Sequence, residues 1–244
     1  MRTRMRRGVA AALTASALCL TAVACGGDDE KKSSSSAKGD DKGKGEAAEK
    51  PALKALTAAQ LQASTLEVKD LPKGWKAEKA TDDTEPAPKA SKPECQPIAG
   101  MMSGKIDGAT MGKSADFVTE GTATALSTHA FTFDGNGAAD YTKAVGDALD
   151  KCTTVTFTSD GEKTDIAIAK LPAAPKVAEE SHAFRMTMKI AELDVEVKVD
   201  LLVARQGSGI SRSAFIPGED PKGDTIFADI AKRAGDKLVK GASS

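Results

Sequence analysis

Few side chains in this sequence have chemistry beyond packing and solvation: four cysteines, two histidines, one tryptophan and one tyrosine among 244 residues. Cys95, Cys152 and the distant His129 and His182 show none of the close ligand spacing of tetrahedral zinc sites, so no metal is expected. Each histidine falls on the apolar side of an alternating segment. There a histidine is more often a hydrogen-bonded core residue than an acid or base, and neither has an Asp or Ser at a recognisable spacing. Gly100 to Gly104 and Gly207-Ser-Gly209 lack the G-x-S-x-G form of a nucleophile elbow, and no Walker A or dinucleotide fingerprint occurs. The expectation is a chain that is not an enzyme, with no catalytic residue, metal or cofactor. What remains is binding, and Trp75, His129, Tyr141, His182 and Arg185 are the candidates for lining a ligand cleft. Trp75 follows a Pro-Lys-Gly turn, where a large aromatic either lines a cleft or anchors the first strand to the core. Met101-Met102, Met111, Met186 and Met188 suggest a soft, adaptable pocket, although packing accounts for the last two, which alternation places on a buried strand face.

The other two cysteines sit near the start. A basic stretch from Met1 to Arg7 leads into an apolar run from Gly8 to Val23, and Ala22-Val23-Ala24-Cys25-Gly26-Gly27 follows. This order resembles a bacterial lipoprotein signal peptide. The run falls short of the roughly 20 residues of a spanning helix, and polar sequence follows at once, so cleavage fits better than permanent insertion. Residues 1–24, with Cys19, are expected to leave, and Cys25 to carry lipid at the mature N-terminus. That gives a membrane partner and an address on the outer face of the cytoplasmic membrane. Ala22-Val23-Ala24 is also an A-x-A site for ordinary signal peptidase, which would cut the same bond but leave Cys25 an odd free thiol. In an oxidising compartment the two cysteines left over, Cys95 and Cys152, are more readily paired than kept as buried free thiols. Such a bridge contributes about 4 kcal/mol in the chain-entropy account. Of 34 basic residues four precede Cys25 and no acidic one does, leaving 30 basic against 35 acidic. A chain of that balance has no electrostatic footprint for nucleic acid.

From Gly26 to Lys50 the sequence has no Leu, Ile, Val or aromatic residue, so residues 25–55 read as a solvated, disordered linker. Structure is expected over 56–244. Thr57-Ala-Ala-Gln60 matches a capping box for a short helix over about 57–64. Leu71-Pro-Lys-Gly-Trp75 reads as a turn into an extended segment, 81–92 as a Pro- and charge-rich loop, and Cys95 to Met102 as one more short helix. Alternation predicts a strand over 125–133, and Asn136 an N-cap for a helix to about Cys152. Two further strands, 153–158 and 165–171, flank Asp160-Gly161. The strongest signal follows: even positions from His182 to Ile190 and odd positions from Leu193 to Val203 are apolar. Opposing them on one face requires an even-length loop, met by a two-residue turn at Ala191-Glu192, and the face carrying Arg185, Lys189, Asp194, Glu196, Lys198 and Asp200 should be wet. A last strand near 210–216 and a terminal amphipathic helix capped by Asp224 complete the pattern. The expected class is α+β: an antiparallel β-sheet with flanking helices, one domain after a disordered tether. The strict alternation argues against the parallel two-lobed build of transport solute-binding proteins.

Several motifs in this order carry a family resemblance: the lipidated tether, Leu71-Pro-Lys-Gly-Trp75, Pro93-Glu-Cys95, Ala148-Leu149-Asp150-Lys151-Cys152, Ser181-His-Ala-Phe184-Arg185 and the closing helix. Over roughly 65–240 the sequence resembles the Gram-positive sensor-type lipoproteins related to the PknH-type extracellular kinase-sensor domain. The resemblance implies a helix-flanked antiparallel sheet with a cleft that senses or binds an envelope ligand, and no enzymatic activity. Kinase-linked members carry more than one cysteine pair and a kinase domain; this sequence has a single such pair and no kinase domain. Three readings follow: a ligand-binding sensor, a protein that docks onto envelope machinery or assists assembly, and, least favoured, an exported hydrolase. Intact mass of the mature protein tests the address. An N-terminal Cys25 bearing two or three acyl chains is expected, since one chain is a marginal anchor; a bare cysteine overturns the lipoprotein reading.

Overall fold

The computed structural model describes residues 53–80, 85–120, 123–171, 175–190, 195–218, 220 and 222–244. The expected signal segment 1–24, Cys25 and nearly all of the expected linker lie outside the described residues.

The alternating segments pair, as period-two burial requires, into one antiparallel sheet of nine strands. They are β1 Trp75–Glu78, β2 Lys89–Ala90, β3 Thr110–Thr119, β4 Ala125–Thr132, β5 Thr154–Ser159, β6 Glu162–Lys170, β7 Glu180–Ile190, β8 Val195–Gln206 and β9 Gly209–Ile216. The order across the sheet is β1-β3-β4-β9-β8-β7-β6-β5-β2. Among the described residues four α-helices pack on it: α1 Ala58–Ala63, α2 Gln96–Ala99, α3 Gly137–Leu149 and α4 Gly223–Ala242. This is the expected α+β class.

The β7–β8 register follows the parity argument and corrects the loop. His182 faces Val203, Phe184 faces Leu201, Met186 faces Val199 and Ile190 faces Val195, so Ile190 is not opposite Leu193 and the connection is not centred on Ala191-Glu192. A register moved by an even number of residues keeps both apolar sets on one side, which is why the faces survive the change. The opposite side is not uniformly wet. Lys189, Glu196 and Lys198 are exposed, but Asp200 is fully buried and Arg185 is half-buried, because α4 lies across this end of the hairpin. Leu201, Leu202, Val203 and Ala204 are accordingly buried on both faces, as in a central strand covered from two sides.

One core packs Phe131, Phe184, Met186 and Ile166 against Val145 and Leu149 of α3 and Ile98 of α2. The Cys95–Cys152 disulfide ties the start of α2 to the end of α3. The other core packs Leu202, Phe215 and Phe117 against Phe227, Ile230, Ala234 and Leu238 of α4. At Gly235 the helix runs so close to Val177 that an added Cβ would sit 2.3 Å from the valine Cβ, so this position tolerates no side chain.

Local signals fared unevenly. The Thr57 capping box forms in full: Thr57 Oγ1 accepts from the Gln60 N–H and Gln60 Oε1 from the Thr57 N–H. Asn136 occupies the N-cap of α3 but makes no capping bond through its side chain. Asp224 lies in the first turn of α4, with Lys222 at the cap, and its carboxylate goes to Arg185 instead. α2 is a single turn extended on both sides by 3-10 turns over Pro93–Cys95 and Gly100–Met102. Two strands were not expected. β3 is masked in the sequence by Gly112, Lys113 and a register shift between Met111 and Ser114 that breaks its alternation. β2 is a two-residue strand inside the 81–92 stretch.

Beneath the N-terminal turn of α4, Arg185 binds Asp200 through Nε and Nη2 at 2.6 and 2.7 Å and Asp224 at 2.5 Å. The Asp200 hydrogen bonds hold the guanidinium well above its ordinary pKa, against the opposing effect of burial. Removing Asp200 leaves the guanidinium with the exposed carboxylate of Asp224 alone and strips it of its buried partner. Asp200→Asn is expected to destabilise the domain by about 3 kcal/mol, the lower end for a broken buried pair because Arg185 keeps some solvent contact; denaturant unfolding checks this.

Candidate functional site

The five side chains expected to line a cleft do not share one. Trp75 is buried between sheet and α4, its ring 6.4 Å from that of Phe215. Arg185 lies on that same face, in the ion-pair cluster above. His182, His129 and Tyr141 are on the other face. Along one register row His129 pairs with Arg212, Arg212 with Val203 and Val203 with His182. The histidines are thus three strand spacings apart, roughly 14 Å at about 4.8 Å each. His182 sits under α3, where a Cβ on Gly146 would come within 2.7 Å of its ring, and its Nε2 is 3.5 Å from Glu180. Tyr141, on α3, stacks on Phe133 and donates its hydroxyl to the Met101 sulfur at 3.2 Å. Burial pushes the Tyr141 phenol above its ordinary pKa, and the nearby Arg212 charge opposes that shift.

Of the five, Tyr141 lines an open recess of about 790 Å³ beside the turns that flank α2, and His129 opens into a second cavity. The latter has a volume of about 260 Å³ and lies on the sheet face beyond the cover of α3. Its floor is the outward row of β4, β9, β8 and β7: Ser127, His129, Arg212, Ala214, Leu201, Val199, Met186 and Met188. Its wall is Met101-Met102-Ser103-Gly104, the turn after α2 that the disulfide helps hold. Met186 is buried, Met188 half-buried and Met102 exposed, so methionine lines the cavity from bottom to mouth. The pocket suggested by the methionines is therefore lined by Met186 and Met188, the two that packing alone had accounted for.

Arg212 dominates the site and was not singled out in the sequence. It is buried to 4 % exposure. Its Nη2 donates to the carbonyl oxygens of Met101 and Ser103 at 2.7 and 2.6 Å, and its guanidinium lies 5.3 Å over the Phe131 ring. The signal was present: alternation puts Arg212 on the same side as Ile210 and Ala214, a charge on an apolar strand face. Among the described residues, no cluster of His, Cys, Asp and Glu could hold a metal ion, and no helix is long and apolar enough to cross a membrane.

The sequence matches no protein-family model and no curated protein. The structure is similar to the extracellular domain of PknH from Mycobacterium tuberculosis, with a TM-score of 0.54 and 14 % identity, covering 77 % of this chain and 98 % of that one. It also matches an uncharacterised protein from Mycobacterium smegmatis at a TM-score of 0.40 and 12 % identity, over 75 % and 98 % of the two chains. The chain thus shares the fold of the PknH extracellular domain, as the sequence motifs implied.

Arg212 holds the cavity wall to the floor. Arg212→Gln is expected to cost about 2–3 kcal/mol by orphaning two buried carbonyls and to raise amide exchange over residues 96–105 before the rest of the domain; uniform exchange throughout would show that the wall does not depend on it.

Proposed function

We propose that this chain is a non-enzymatic, extracytoplasmic ligand-binding domain of the sensor type. The observation that carries this reading is the methionine-lined cavity with Arg212 in its floor, a concave, mostly apolar site with a few converging polar groups. Its volume lies near the lower end of the range for small-ligand sites, so the ligand is small or only partly enclosed. The shared fold supports the setting, because the PknH domain is an extracellular one. The separation of His129 from His182 supports the absence of catalysis, since it denies the pair a joint acid-base role.

In the same reading residues 1–24 are the signal peptide, Cys25 is lipidated, 25–55 is a linker and 56–244 the folded domain. The domain then stands off the outer face of the cytoplasmic membrane with its cavity free to sample the envelope. The Cys95–Cys152 bridge suits that compartment and keeps the cavity wall in place.

Native mass spectrometry of protein purified without denaturation tests the function. A co-bound small-molecule mass is expected on the wild-type chain and is expected to be lost from Ala214→Phe, which fills the floor. An unliganded spectrum for both, together with specific protein crosslinks, would replace this reading with a docking role.

A further inference from the structure

We propose that the cavity, with the trough it opens into, holds one unbranched alkyl chain laid along the β7–β8 hairpin, and that the site selects this chain whatever polar head it carries. The inference rests on the ligand-binding reading above and adds the chemical class of the part of the ligand that is buried.

The first reason is the texture of the lining. Met101 and Met102 in the wall and Met186 and Met188 in the floor supply four of its side chains. Thioether side chains are unbranched and adapt their shape, which suits a flexible methylene chain. A flat ring system is held best by aromatic faces, and among the described lining residues there is no Phe, Tyr or Trp.

The second reason is the shape of the apolar surface, which does not stop at the cavity. Along β8 the residues on this face run from Leu201, 2 % exposed, through half-buried Val199 and Val197 to Val195, 46 % exposed. Along β7 their partners are Met186 opposite Val199, Met188 opposite Val197 and Ile190 opposite Val195. The floor therefore rises from buried to open in one direction, toward the hairpin tip. From Leu201 to Val195 is six residues, about 20 Å of strand, while the two strands stand only about 4.8 Å apart. Such a strip is long and narrow, the proportions of a single extended chain. Lys189, Glu196 and Lys198 lie on the opposite side of the hairpin, so no described charged side chain interrupts it.

The two parts together explain the modest cavity volume. The cavity encloses one end of the chain, and the remainder lies in the trough with one side toward solvent. Burying a methylene completely strengthens binding about fourfold, so in a half-open trough each added pair of methylenes is expected to contribute roughly fourfold.

Methionine-methyl NMR of the mature chain, titrated with single-chain amphiphiles below their micelle concentrations, tests this directly. Two of the seven methionines precede Cys25, and of the other five Met111 lies outside the cavity and serves as a reference. Octyl, decyl and dodecyl maltoside are expected to shift the methyls of Met101, Met102, Met186 and Met188, to leave Met111 in place, and to tighten by that factor at each step. The alkyltrimethylammonium and alkyl sulfate series are expected to show the same dependence on chain length. Adamantyl maltoside, with the carbon count of the decyl compound folded into a rigid cage, is expected to bind at least tenfold more weakly than decyl maltoside. Val197→Glu, in the trough beyond the cavity, is expected to bring dodecyl maltoside down to the affinity of octyl maltoside while octyl changes less than twofold, a length-dependent loss that general unfolding does not produce. Affinity that is flat in chain length, a length dependence confined to one head group, or equal binding of the adamantyl compound overturns the chain assignment and leaves the ligand-binding reading intact. Movement of Met111 with the others marks surfactant adsorption and also overturns it. Silence toward every amphiphile overturns the class, and the ligand-binding reading is then decided by the native mass spectra.

Discussion

A guanidinium on the apolar face of a sheet must have its donors met, because burying such a group without partners costs more than the fold can spare. Arg212 imposes that condition here. Its partners are the carbonyls of Met101 and Ser103, so the segment after α2 must cross the sheet at that point. The disulfide fixes the other end of the segment to the last turn of α3, and α3 packs on β7 and β8. Between these two fixtures the segment bridges the sheet without filling the space beside it, and the cavity is what the bridge leaves open.

The two faces of the sheet divide the work. α4 seals the part of one face that it covers: Phe227, Ile230, Ala234 and Leu238 are each at most 2 % exposed, and the Arg185 cluster neutralises the charge held beneath the helix. α3 and the α2 segment close the other face only in part. Rigidity on one side lets the other keep an open site, since an incompletely covered sheet keeps its shape when its reverse is well packed. Trp75 belongs to the sealed side, which accounts for its distance from the cavity.

How far the sequence could be read depended on how strongly each segment was constrained. β7 and β8 were legible because burial of one face over eleven paired positions leaves no freedom in parity, and the same constraint made the loop length irrelevant to the outcome. α4 was legible because its stripe of Ile226, Phe227, Ile230, Ala231 and Ala234 repeats at helical spacing. β3 was not, since its bulge interrupts the repeat that betrays a strand, and its sheet position between β1 and β4 is set by partners distant in sequence. The grouping of site residues was hidden for a related reason. Alternation says which face His129 and His182 occupy, but only strand order puts β9 and β8 between them and brings Arg212 beside His129. The wall residues Met101 to Gly104 have no periodicity, and tertiary bonds alone place them.

The first described residues are stitched to the sheet rather than to a helix. The Leu53 carbonyl accepts from the Gly135 N–H, the Lys54 carbonyl from Ser208 Oγ, and the Leu56 N–H donates to Thr132 Oγ1. Thr132 ends β4 and Ser208 precedes β9, the strands that carry His129 and Arg212. Tension arriving along the chain at Leu53 therefore enters the two strands under the cavity, at the ends opposite Ser127 and Ala214. Those strands are zipped to each other over eight paired residues, so a load entering at Leu53 is shared across many hydrogen bonds at once and reaches the cavity floor before α4.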